Sequence, residues 1–187
     1  TLSAREFRNG MAEVIKYGSI LDKRLFLQLE HNASSIQNMD ARILTDIIRR
    51  CCELKKYVVE QDEKEAGLRR ILNFGHTIGH AVEYLSQYKI SHGEAVAIGM
   101  VAEARISAGL GLISKEDVER LISLIKKYHL PTEIPSTMNL SSILQATLLD
   151  KKAKQGNVQY TLLRKIWTAK AGVTVPLDQA KKFLKHQ

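Results

Sequence analysis

The run Glu94-Ala95-Val96-Ala97-Ile98-Gly99-Met100-Val101-Ala102-Glu103-Ala104-Arg105-Ile106-Ser107-Ala108 is rich in alanine and carries Val, Ile and Met on several faces of a helix. Alanine is the best helix former, and an apolar surface on every side of a helix means burial. Small side chains also let neighbouring elements come close, so this helix is expected at the centre of a bundle. Gly109-Leu110-Gly111 ends it, and Ser114 with Asp117 caps the next helix, whose apolar stripe is Val118, Leu121, Ile122 and Ile125. Pro131 and Pro135 mark a loop, after which a helix is expected from about Leu140 to Asp150 and a turn at Gly156-Asn157.

Val158 to Leu163 and Ala171 to Val175 are β-branched enough to pair as a small ribbon, and Asp178 starts a terminal helix. On the other side of the central helix, Leu44, Ile47, Ile48, Cys51 and Val58 recur at helical spacing between about Asp40 and Glu60, with Lys55 and Lys56 read as its last turn. Ser3 and Glu6 have the spacing of a capping box, so a short helix is expected to open there and give way at Gly10, with Glu13 and Lys16 three apart on the next helical piece. There is no repeat and no alternation of strands with helices. The reading is a mainly α, multihelical array with a small two-stranded β ribbon near the C-terminus, one domain over residues 1–187.

The composition, 44% hydrophobic and 26% charged, is that of a globular chain. No apolar run has the length of a membrane span, and Thr1-Leu2-Ser3-Ala4-Arg5-Glu6 has no signal-peptide pattern, so a soluble cytoplasmic protein is expected. The net charge of +8 comes from scattered lysines, without the continuous basic stripe or stacking aromatics that nucleic acid binding calls for. A small anionic substrate explains it equally well, as does compensating acid on a part of the protein outside this chain. Cys51 and Cys52 are adjacent, match no zinc spacing and are expected to be inert.

Three of the six histidines, His76, His80 and His92, fall in one short stretch. Imidazole is the commonest ligand for a borderline metal and the usual proton shuttle near neutral pH, so the cluster points to metal or acid–base chemistry. Bare spacing pairs His76 with His80, since residues i and i+4 share a helix face. Thr77 stands where a zinc protease has its glutamate, which disfavours a hydrolase of that type. Two ordinary hydrogen-bonded histidines are the alternative. His92-Gly93-Glu94 reads as a loop entering the central helix, with Gly93 permitting close backbone approach and Glu94 structural in the first turn. Glu13 sits among apolar neighbours and needs either a metal or a cation such as Lys16 beside it.

Asn73-Phe74-Gly75-His76-Thr77-Ile78-Gly79-His80-Ala81, with His92-Gly93-Glu94-Ala95-Val96-Ala97, resembles the signature of the 3-dehydroquinate synthase family. Gly10 to Gly18, Cys52-Glu53-Leu54-Lys55 with Asp62-Glu63, and Asp150-Lys151-Lys152 match the family's pattern in the same order, so the resemblance spans essentially the whole chain. It implies the C-terminal, multihelical domain of a two-domain enzyme, a carbon–oxygen lyase acting on phosphates. The N-terminal NAD-binding α/β domain is not in this chain, where no glycine-rich phosphate loop follows a strand. Lys165-Ile166-Trp167-Thr168 departs from the glycine-containing turn that family members often have there.

The resemblance implies Glu13, His76 and His92 as zinc ligands, with cobalt able to stand in, and His80 outside the ligand set. It implies a phosphorylated keto-acid substrate, 3-deoxy-D-arabino-heptulosonate 7-phosphate, converted to 3-dehydroquinate and phosphate in the shikimate pathway of aromatic amino-acid biosynthesis. NAD acts there as a catalyst, taking hydride from C5 and returning it. Lys16, Lys55, Arg69, Asn73 and one of Lys151 or Lys152 would contact carboxylate, hydroxyl or phosphate groups, while Glu65 and His80 handle hydroxyl protons. The full-length protein is expected to be a homodimer, and these 187 residues alone to be inactive. Two other readings are a sugar phosphate cyclase of the 2-deoxy-scyllo-inosose synthase type and a metal-binding helical module without turnover.

Overall fold

The computed structural model describes residues 2–149 and 157–185. In chain order, these form α1 (Ala4–Ile20), α2 (Lys23–His31), α3 (Ala33–Gln37), α4 (Ala41–Gln61), α5 (His76–Leu85), α6 (His92–Gly109), α7 (Lys115–Lys127), α8 (Leu140–Ala146), β1 (Val158–Lys165), β2 (Thr168–Val175) and α9 (Leu177–Leu184), with 3-10 turns at Leu68–Asn73 and Thr147–Leu149.

The alanine-rich helix α6 is the axis of the fold. Val96, Ala97, Met100, Val101 and Ala104 pack with Met11 and Ile15 of α1, Phe26 of α2, Leu54 of α4 and Leu121 and Ile125 of α7. Ala95, Ile98, Ala102 and Ile106 pack into a second cluster with Ile78 and Val82 of α5, Ile143 and Leu144 of α8, Tyr160 and Leu162 of β1 and Leu184 of α9. A helix with apolar faces all round thus stands between two cores, as its composition requires. Its start is fixed by a capping box, Ser91 with Glu94, and α7 starts with another, Ser114 with Asp117. β1 and β2 are antiparallel, with Val158 opposite Val175 and Tyr160 opposite Val173.

Several local expectations are corrected. The first helix runs through Gly10, where an added Cβ would meet nothing within 4 Å. Glycine costs a helix about 1 kcal/mol, less than burying Met11, Ala12 and Ile15 on the same helix gains. Helix α4 continues to Gln61, so Lys55 and Lys56 precede its last turn, and Leu54 is buried while Ile48 is exposed. His92 is the first residue of α6 and not part of a loop. Helix α8 stops at Ala146 and tightens into the 3-10 turn; Asp150 and Gly156, expected at a helix end and a turn, lie outside the described residues.

The strands are longer than expected and leave a tight turn at Ile166-Trp167, where Trp167 holds the left-handed backbone (φ 69°) that glycine would adopt freely. Packing holds it there. Its N–H donates to the Ser19 carbonyl at 2.6 Å, its ring meets Phe26 edge-on, and the Lys23 ammonium lies 5.0 Å from the ring centre. Among the described residues no helix is long and apolar enough to cross a membrane.

Candidate metal centre

Two close helix approaches build the site. At the start of α6, a Cβ on Gly93 would come within 2.5 Å of the Asn9 Cα, and the Ser91 hydroxyl donates to Asn9 Oδ1 at 2.6 Å. Glu13, one turn beyond Asn9 on α1, is thereby set against His92. At the second approach, Gly75 adopts a left-handed conformation (φ 79°) immediately before α5, and a Cβ on Gly99 would overlap its carbonyl oxygen. This brings His76, the first residue of α5, beside the first turn of α6.

His76 Nε2 lies 3.5 Å from Glu13 Oε1, and His92 Nε2 lies 3.7 Å from the same oxygen. That oxygen is buried and has no hydrogen-bond partner. Its fellow, Oε2, accepts from Lys16 Nζ at 2.6 Å. The His76 Nδ1 is 3.1 Å from the Phe74 carbonyl and the His92 Nδ1 is 3.4 Å from Glu83 Oε2. Each ring can donate from Nδ1 to its oxygen, which leaves an Nε2 lone pair directed at Glu13.

One carboxylate oxygen and two imidazole nitrogens therefore converge within 4.8 Å of one another. Ligand atoms about 2.0–2.1 Å from a tetrahedral ion stand roughly 3.3 Å apart, so a divalent metal fits between them with little adjustment. Burial alone would raise the Glu13 pKa, but the facing His76 and His92 and the Lys16 ammonium hold it far below the usual carboxylate range. Lys16 is pushed down by its own burial, against the pull of Glu13.

His76 and His80, paired by i, i+4 spacing, do have their rings in edge contact, but no group of three convergent potential ligands among the described residues contains both. A second group of potential ligands, His80, Glu83 and His92, shares only His92 with the first. His80 is exposed, its ring 5.3 Å from that of His76 and 6.1 Å from that of His92, at the rim of the centre. Asn73 donates to Glu65 Oε1 at 3.2 Å, and Glu65 has a left-handed backbone (φ 54°) in the loop after α4. Asp62 pins that loop by accepting from the backbone N–H groups of Ala66, Gly67 and Arg69, and the Arg69 guanidinium donates to the Glu63 carbonyl. The Lys55 ammonium is close enough to help lower the Lys16 pKa. Lys151 and Lys152 lie outside the described residues.

Two carboxylates beside this cluster were not singled out in the sequence. Glu83, which orients His92, follows His80 by three residues on α5, and that spacing was the available signal. Glu103 is wholly buried on α6 and accepts from the N–H groups of Gly75, Thr77 and Ile78; its signal was a lone carboxylate inside an otherwise apolar part of the run.

Residues 10–153 match the family described as 3-dehydroquinate synthase C-terminal. The chain belongs to this family. It is 49% identical over 187 residues to the 3-dehydroquinate synthase of Nostoc punctiforme, an alignment covering 98% of this chain and 52% of that protein. It is 53% identical over 165 residues to the 3-dehydroquinate synthase of Synechocystis, covering 87% and 46%. The chain spans about half the length of these curated relatives.

Among solved structures, it superposes on a 2-epi-5-epi-valiolone synthase from Streptomyces hygroscopicus with NAD+ and Zn2+ bound, at TM-score 0.88 and 27% identity, over 100% of this chain and 52% of that one. It also superposes on a 2-deoxy-scyllo-inosose synthase complexed with carbaglucose-6-phosphate, NAD+ and Co2+, at TM-score 0.80 and 27% identity, over 97% and 51%. The multihelical array with its ribbon is thus the C-terminal fold of the 3-dehydroquinate synthases and related sugar phosphate cyclases.

Proposed function

We propose that this chain is the metal-binding, catalytic half of a 3-dehydroquinate synthase that converts 3-deoxy-D-arabino-heptulosonate 7-phosphate to 3-dehydroquinate and inorganic phosphate. The observation that carries the reading is the buried Glu13 Oε1, without a hydrogen-bond partner and 3.5 and 3.7 Å from two imidazole nitrogens. Glu13, His76 and His92 would hold zinc. A metal held by three protein ligands keeps positions open for substrate hydroxyls and supplies a Lewis acid that eases their deprotonation. NAD supplies a reversible hydride acceptor, held by the nucleotide-binding half that accounts for the greater length of the relatives.

The surrounding side chains do the rest. Lys16, ion-paired to Glu13, keeps the ligand carboxylate ionised and presents a cation beside it. Arg69 and Lys55, with Lys151 or Lys152, suit the substrate's carboxylate and phosphate, and Asn73, oriented by Glu65, suits a hydroxyl. His80 at the rim is placed to move a proton to or from substrate oxygens. The greater identity to 3-dehydroquinate synthases than to the cyclases acting on other sugars, 49% against 27%, favours the keto-acid substrate.

Phosphate release by the full-length protein with NAD and zinc tests the reading. Release is expected from the heptulosonate phosphate and not from glucose 6-phosphate; the opposite preference would overturn it.

A further inference from the structure

We infer that Glu103 is a positioning residue that sets the metal centre by holding the backbone on both sides of His76, a role that rests on the metal reading above. Glu103 is the most deeply buried carboxylate among the described residues, at 0% exposure. Its Oε2 accepts from Gly75 N–H at 2.8 Å, and its Oε1 accepts from Thr77 N–H at 3.1 Å and Ile78 N–H at 3.4 Å. These are N–H groups at the start of α5, which have no partner within their own helix. Gly75, at the N-cap position, has no side chain to meet them. A carboxylate from another helix does so instead, where its charge is also favourable to the α5 dipole.

The consequence for the site follows from where Glu103 stands. His92 is the first residue of α6, and Glu103 lies 11 residues later on the same helix, about 16 Å along its axis. One rigid element therefore carries one ligand directly and grips the backbone of the other. Gly99, one turn before Glu103, is where the α6 backbone touches Gly75, so the grip and the contact act on the same segment. The Phe74 carbonyl, facing His76 Nδ1 at 3.1 Å, then fixes the ring on a backbone already fixed. Glu103 does not need to touch the metal to determine where His76 Nε2 points.

The test is cobalt(II) titration of the 187-residue chain, read by visible absorption and by competition with a chromophoric chelator. Glu103→Gln keeps the side-chain volume and one carbonyl acceptor but sets an amide NH2 against a backbone donor. Loss of outer-shell support weakens metal binding on the order of 10–100-fold, and about tenfold is expected here with a changed absorption band, while far-ultraviolet circular dichroism of the metal-free chain is unchanged. A folded E103Q chain with wild-type affinity and spectrum overturns the inference. Should E103Q not fold, Glu103→Asp carries the test, because it keeps the charge but is one methylene too short; the same loss supports the role, and unchanged binding overturns it. Wild-type chain that binds no cobalt removes both the metal centre and this role, whereas wild-type binding with unaltered E103Q removes this role alone.

Discussion

A carboxylate oxygen buried without a partner is costly, and at Glu13 two imidazoles face it at distances too long for good hydrogen bonds but suited to a shared ion. The single-residue consequence is a division between His76 and His80. His76→Ala should lower metal affinity steeply, whereas His80→Ala should leave metal content near wild type and cut turnover of the full-length enzyme on the order of 100-fold or more. Elemental analysis with phosphate-release kinetics checks both, and equal metal loss in the two variants would refute the division. Bare i, i+4 spacing favoured the opposite pairing, because sequence shows which residues share a helix face but not what the fold sets opposite that face. Glu103 was illegible for the same reason: its partners lie 25 to 28 residues away in the chain. A separate carboxylate, Asp22, caps α2 and pairs with Arg50. Burial would raise its pKa, but Arg50 and the Leu25 N–H hold it below the ordinary value, so its contribution is present above the unfolded pKa of about 3.9 and is lost as pH falls through the folded value. Asp22→Asn, which keeps the cap, should lower stability at pH 7, and urea melts should show the gap closing as pH falls below about 4; an equal gap throughout would remove the ion pair from the explanation.

Among the elements, the α5–α6 contact matters most, because it unites two of the proposed ligands. Gly99→Ala puts a Cβ into the Gly75 carbonyl, where only backbone could give way. Overpacking of this kind costs about 1–3 kcal/mol, and the same displacement should weaken metal binding. Ser114→Ala, by contrast, removes the α7 cap far along the chain from every proposed ligand and should cost about 1 kcal/mol with metal affinity intact. Thermal melts with and without metal distinguish the two; a metal-binding loss in S114A as large as in G99A would mean that stability alone governs the site. Elements with strong periodicity, a cap or a clear turn signal were legible beforehand, namely α4, α6, α7, the start of α8, the ribbon and α9. Those decided by tertiary burial were not. Helices α2 and α3 escaped a periodicity argument because they are short, and α1 continues through Gly10 because the core beneath Met11 and Ile15 outweighs one glycine.

For the whole molecule, the two apolar clusters on either side of α6 provide the core for a chain of this size to fold, and the proposed function puts nucleotide binding in the half of the relatives' length that this chain does not span. The 187 residues with added NAD are therefore expected to show neither measurable NAD affinity by isothermal titration nor phosphate release, since misplacing the reacting groups by about 1 Å already costs hydride transfer on the order of 100-fold. Turnover by this chain with NAD would place a nucleotide site within it. The centre itself is open to a simpler measurement, metal stoichiometry of the wild-type chain beside Glu13→Gln and His92→Ala after equilibration with limiting zinc. One zinc per wild-type chain, with steep loss of affinity in both variants, is expected; full occupancy in either variant would contradict a centre made of Glu13, His76 and His92.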